Sequence, residues 1–160
     1  MSTMKKDEIL LPFYTKERWN NWIEQAKTSG FKLDQSTQGP SRAGAVFVNM
    51  VDDVILACLK VINKFEKKTI TDKEALKQIN DIALIVTAKI PSISEDIDLM
   101  LDSVQHSLMS VFAACEFYIK GDYSKDASIE EIVKQAVKAE QSEKFDEALD
   151  LMGKAGALVL

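Results

Sequence analysis

Apolar residues recur along this chain at spacings of three and four and show no sustained alternation, a pattern that predicts helices throughout. Trp19, Trp22, Ile23 and Ala26 share one face of a first helix, about Lys16–Ser29, which Thr15 can cap and Gly30 can stop. Phe47, Val51, Val54, Cys58, Val61 and Phe65 form the stripe of a second helix, about Ala43–Phe65, broken by the run KKTIT. Thr71 with Glu74 reads as a capping box that opens a third helix to about Ala88, with Leu76, Ile79, Ile82, Ala83 and Val86 inward. After Pro91, Ser92 with Glu95 reads as another capping box, opening a helix over 92–120. Its stripe Ile97, Leu101, Val104, Leu108, Val111, Cys115 and Tyr118 keeps a seven-residue period. No formal charge falls between Asp102 and Glu116, and the far side carries Leu99, Ser103, Ser110, Ala113 and Phe117. A helix that is small or apolar all round belongs in the middle of a bundle. Gly121 stops it. Ser128 with Glu131 opens a fifth helix with Ile132, Val133, Ala136 and Val137 inward, and a sixth carries Phe145, Ala148, Leu149, Met152 and Ala155. The expected fold is all-α: one domain over 1–160, a single bundle of about six helices with the 92–120 helix central. Residues 1–12 read as a mobile tail, 30–42 as a polar loop and 128–160 as a C-terminal helical hairpin.

Composition agrees with a packed globular chain: 46% of the 160 residues are hydrophobic and 28% charged, with few Gly or Pro to build a turn-rich β fold. The net charge of −5 is uneven, because residues 121–160 hold nine acids against five bases. An acidic chain without a basic stripe excludes nucleic acid as the expected partner. The small group Lys60, Lys64, Lys67 and Lys68 lies at a helix C-terminus, where cations relieve the helix dipole. The start MSTMKKDEILLPF lacks the pattern of a signal peptide, and the uncharged run Ser103–Cys115 is too short to span a membrane. Cys58 and Cys115 lie on apolar stripes and read as small core hydrophobes. Without a C-x-x-C pair or a disulfide framework they point to a reducing, cytoplasmic setting.

Candidate chemistry is sparse. His106 is the only histidine, and Asp102 lies one turn before it, so the two could form an Asp–His pair that orients a general base. No nucleophile motif accompanies them. A di-iron bundle needs Glu-x-x-His twice, Asp52 and Asp53 point about 100° apart on a helix, and no calcium or phosphate loop occurs. No catalytic residue, cofactor or metal ligand is therefore expected. Phe13, Tyr14, Trp19, Trp22 and Arg18 have the composition of a contact hot spot, but core packing accounts for the tryptophan face. The chain ends on Ala157-Leu158-Val159-Leu160 with no polar cap. Phe145, Leu149, Met152, Leu158 and Leu160 are the expected partner-binding residues. Their partner would be a protein or peptide, a second copy forming a homodimer, or a further segment of a chain truncated here.

Three segments together resemble an archaeal family catalogued only as a domain of unknown function: FYTKERWNNWIE (13–24), NMVDDVILACLKVINKFEKKTITDKEALKQINDIALIV (49–86) and DLMLDSVQHSLMSVFAACEFY (98–118). AEQSEKFDEALDLMGKAGALVL (139–160) is also similar, and 30–48 departs. The resemblance implies an all-helical archaeal cytoplasmic protein whose relatives continue beyond ALVL; it implies no activity, and His106 is not part of the pattern. EKFDEALDLMGKA also resembles the second helix of a tetratricopeptide repeat, and AVKAEQSEKFDEALDLMGKA the hairpin of microtubule-interacting-and-trafficking domains, both peptide-binding scaffolds. Two functions follow. One is a non-catalytic protein- or peptide-binding or assembly module with a groove beside the last two helices. The other is a ligand-binding or enzymatic bundle with a site near Asp102 and His106. A polar cavity holding His106 would favour the second, and a shallow apolar groove at the C-terminal hairpin the first.

Overall fold

A computed structural model describes residues 13–33 and 42–160. Among the described residues six α-helices run in chain order: α1 Lys16–Thr28, α2 Ala45–Glu66, α3 Asp72–Val86, α4 Glu95–Lys120, α5 Ile129–Gln141 and α6 Phe145–Val159. A short 3-10 turn, Arg42–Gly44, leads into α2, and the described residues contain no strand. The expected tail 1–12 and most of the expected loop, residues 34–41, lie outside the described residues.

Local chemistry sets the helix ends. Thr15 accepts from the Arg18 amide and opens α1; Gly30, at φ 69, follows its end. Thr71 and Glu74 make both halves of a capping box on α3. Gly121 closes α4 in the left-handed conformation that glycine adopts without strain. The start of α4 differs from the reading at Ser92. Ser94 is the cap, accepting from the Ile97 amide. Ser92 instead donates its hydroxyl to Asp98, which also accepts the Ile93 amide at 2.9 Å, and these bonds hold the Asp98 carboxyl below the usual range. Asp98 thus folds the 92–94 segment back over the first turn and delays the helix by two residues.

The centre of the bundle is α4, which packs against α2, α3 and α6. Ile97, Leu101, Val104, Leu108, Phe112, Cys115 and Ile119 are buried there, while Val111 is only half-buried. Gln105, on the flank of the apolar stripe, donates to the carbonyls of Val86 and Ala88 at 2.9 and 3.0 Å. A half-buried amide is thereby paired with carbonyls at and just past the C-terminal end of α3, where the helix itself supplies no donor.

The core divides in a way that matters for the site. One continuous cluster of large side chains joins α1 to α4, with Trp19, Met50, Val54, Ile79 and Leu108 nearly sealed from solvent. The α5–α6 hairpin adds nothing bulky to it. Its buried residues are Ala136, Ala139, Gly153, Ala155 and Ala157. Val137, expected inward, is 46% exposed, and Phe145 is 63% exposed. The hairpin attaches by backbone proximity: a Cβ at Gly156 would lie 2.6 Å from the Ala114 methyl, and one at Gly153 would lie 2.9 Å from Ala113 and the Phe117 ring.

Asp53 shows how α1 is fixed. It accepts from Arg18 Nε at 2.7 Å, from Arg18 Nη2 and from Trp22 Nε1 at 2.8 Å. Burial works against its charge, but these bonds outweigh burial and hold the carboxyl below its ordinary value. The same environment, burial first and then the Asp53 charge, pushes the Tyr14 phenol well above its usual range. Because the folded carboxyl titrates low, its stabilisation is complete above the unfolded value of about 3.9 and is lost as pH falls through the folded one. Asp53→Asn should cost about 1 kcal/mol at neutral pH. In urea melts across pH 2–7, that cost should shrink at the acid end; a pH-independent difference would contradict the ion-pair account.

Candidate functional site

The inward positions of α5 and α6 are small, and several large apolar side chains stand among the exposed ones. Ile129, Val137, Phe145, Met152, Val159 and Leu160 are all exposed. Where the C-terminal end of α6 meets the start of α5, these two helices together with α2 and α4 border an apolar groove with a cavity of about 440 Å3. Helix α2 supplies Ile55, Cys58 and Leu59, and α4 supplies Val111, Ala114 and Cys115. Ile129 and Val133 of α5, with Met152 and Val159 of α6 and Leu160 just after it, form the other wall. Among the described lining residues, Ser110 has the only side-chain oxygen. That size and wall chemistry suit an apolar side chain or short aliphatic group.

The five residues expected to bind a partner are dispersed. Met152 and Leu160 line the groove. Phe145 stands at the other end of α6, exposed. Leu149 is half-buried, and Leu158 turns to a separate hollow against Tyr123, Ala127 and Ile132. Of the apolar terminus, Ala157 is buried and Val159 is 75% exposed, so the uncovered patch is narrower than four residues and continues onto α2 and α5. Leu59 and Ile129 belong to the groove and escaped the sequence reading. The signal for them was the small-residue face of the hairpin, Gly153, Gly156 and their neighbouring alanines, which displaces the larger side chains outward.

Asp102 and His106 sit elsewhere. His106 is 70% exposed on the side chain, and its Nδ1 lies 2.8 Å from the Asp102 carbonyl and 3.5 Å from the Asp102 carboxylate. Asp102 lines a polar hollow with Lys89, Ser92, Asp98 and Gln105 that does not include His106. Among the described residues no third side chain is bonded to the pair, and an Asp–His base would need one. Among the described residues, no three His, Cys, Asp or Glu side chains converge as a metal site. No helix of the described residues is long and apolar enough to cross a membrane.

No curated protein and no solved structure matches this chain. Residues 12–160 match the family described as an uncharacterized protein conserved in archaea, DUF2150. That match covers the three resembling segments and the C-terminal hairpin alike, and the chain belongs to this uncharacterised archaeal family.

Proposed function

We propose that this chain is a non-catalytic binding module that receives an amphipathic, basic-flanked helix of a partner protein in the groove between α2, α4, α5 and α6. The observation that carries this reading is the inverted packing of the hairpin, which buries alanine and glycine and leaves Ile129, Met152, Val159 and Leu160 around an open apolar cavity. Exposed apolar surface of this kind marks contact sites more often than it is left to water. The charge of the occupant follows from the rim. Glu131 is exposed beside Ile129, Glu130 next to it pairs with Lys134 at 3.7 Å, and residues 121–160 carry nine acids against five bases. Basic residues flanking an apolar face would meet that field; acidic ones would be repelled. The alternative, a ligand-binding or enzymatic bundle near Asp102 and His106, would need a cavity around His106.

Two labelled model helices test this, one with leucine at heptad positions and lysine elsewhere, the other with glutamate replacing lysine. The lysine helix should bind at least about tenfold more tightly at low salt, with the preference narrowing as salt is added. Leu59→Asp with Met152→Asp should abolish binding. Equal affinity for both helices, or binding indifferent to those substitutions, would sink the proposal. If the unliganded chain sediments as a dimer that Leu160→Asp converts to monomer, the occupant is a second copy instead.

A further inference from the structure

The floor of the groove holds the only two cysteines of the chain. Cys58 on α2 and Cys115 on α4 are each 1% exposed, yet both border the same cavity. Both are free thiols, and they are in side-chain contact with one another. Core sulfur usually needs no explanation beyond packing. Here two observations go further. The sequence separates these thiols by more than fifty residues, so only the crossing of the two central helices brings them together. The open groove also provides a path by which an oxidant hardly larger than water reaches sulfurs that are otherwise enclosed.

We propose that Cys58 and Cys115 form a peroxide-sensitive dithiol that closes to an intramolecular disulfide, covalently tying α2 to α4 beneath the groove. The Cys115 sulfur attacks one oxygen of a hydroperoxide, the O–O bond breaks, and Cys115 becomes a sulfenic acid while the hydroperoxide leaves as water or an alcohol. The Cys58 sulfur then attacks the Cys115 sulfur, the S–O bond breaks, and the hydroxyl leaves with the Cys58 proton as water. Two thiols are oxidised, one hydroperoxide is reduced, and a low-molecular-weight thiol reverses the bond by exchange. The order of attack follows from the asymmetry of the pair. The Cys58 S–H, directed at Cys115, favours the Cys115 thiolate against the opposing effect of burial, whereas contact with Cys115 and burial together raise Cys58 above the ordinary thiol range. This inference is independent of what occupies the groove.

The full chain is treated with hydrogen peroxide and followed by intact mass under non-reducing conditions. Loss of two hydrogens from the monomer, restored by dithiothreitol, is expected, and at least about tenfold faster in the folded chain than in urea, because the fold holds the thiols together. With Cys58→Ser, one dimedone adduct should accumulate at Cys115; with Cys115→Ser, Cys58 should stay unlabelled. Overoxidation to a sulfinic acid, a covalent dimer, or slower reaction when folded than when unfolded would each overturn the proposal. The wild-type comparison stands even if a serine variant fails to fold.

Discussion

Leu108→Ala should lower the unfolding free energy by about 2–5 kcal/mol. Leu108 is fully enclosed, and it sits on the helix that α2, α3 and α6 all pack against. Truncation removes the transfer energy of the lost carbons and leaves a space that three helices pinned on different sides cannot collapse to fill. Position along the same helix gives two internal controls. Val111 is half-buried and borders the groove, so Val111→Ala enlarges a space that is already open and should cost less, about 1 kcal/mol. Leu99 is 56% exposed, and Leu99→Ala should change stability by no more than about 0.5 kcal/mol. Guanidinium melts with an unchanged denaturant slope would show this order. Equal losses for Leu108 and Leu99 would mean that the buried face of α4 is wrongly placed.

The sequence carried the helices clearly because several independent signals coincide at their ends. Thr15, Thr71 and Ser128 are short oxygen-bearing residues directly before apolar-periodic runs, and each caps the helix it precedes. At 92–95 that rule had two serines to choose between. Ser92 satisfied the Ser-x-x-Glu pattern, while Ser94 is the cap, because Asp98 reaches back to Ser92 and Ile93. A side-chain bond spanning six residues decides that boundary, and no local pattern encodes it. Gln105 answers to a rule that needs no register: an amide on the flank of a central helix must find a partner, here the carbonyls of Val86 and Ala88.

The groove was harder to read. Hydrophobic stabilisation scales with the area buried, so a periodic stripe of Ile132, Val133 and Val137 points inward by default. That default fails when two helices approach so closely that only hydrogen or methyl fits between them. Ala113 and Ala114 on α4, facing Gly153 and Gly156 on α6, bring the backbones together and rotate the larger residues out. Each small residue was visible, but their pairing depends on how two helices far apart in sequence cross. The contact between Cys58 and Cys115 was hidden by the same dependence, since each lies on its own stripe and neither stripe states its register against the other.

That close approach carries the second large effect. Gly156→Val should destabilise the chain by about 1–3 kcal/mol, and the loss should be concentrated in α5 and α6. A Cβ at this position would stand 2.6 Å from the Ala114 methyl, about a full ångström inside normal contact, and that methyl cannot swing aside because it is fixed directly to the α4 backbone. The neighbouring glycine is more forgiving: at Gly153 the contacts are 2.9 Å, and part of the obstruction is the Phe117 ring, which can turn. Gly156→Ala is the sharper probe. Alanine gains about 0.5–1 kcal/mol of helix propensity over glycine, which offsets part of the clash and makes the single variant a small net effect. Combining it with Ala114→Gly returns the missing space, so the double variant should be more stable than the two single losses predict, with a coupling of about 0.5–3 kcal/mol. Native-state hydrogen exchange should locate the effect: amides of α6 should lose protection in Gly156→Val while those of α3 keep theirs. Additive single and double variants, or protection lost evenly across the bundle, would show that the hairpin is held by something other than this crossing.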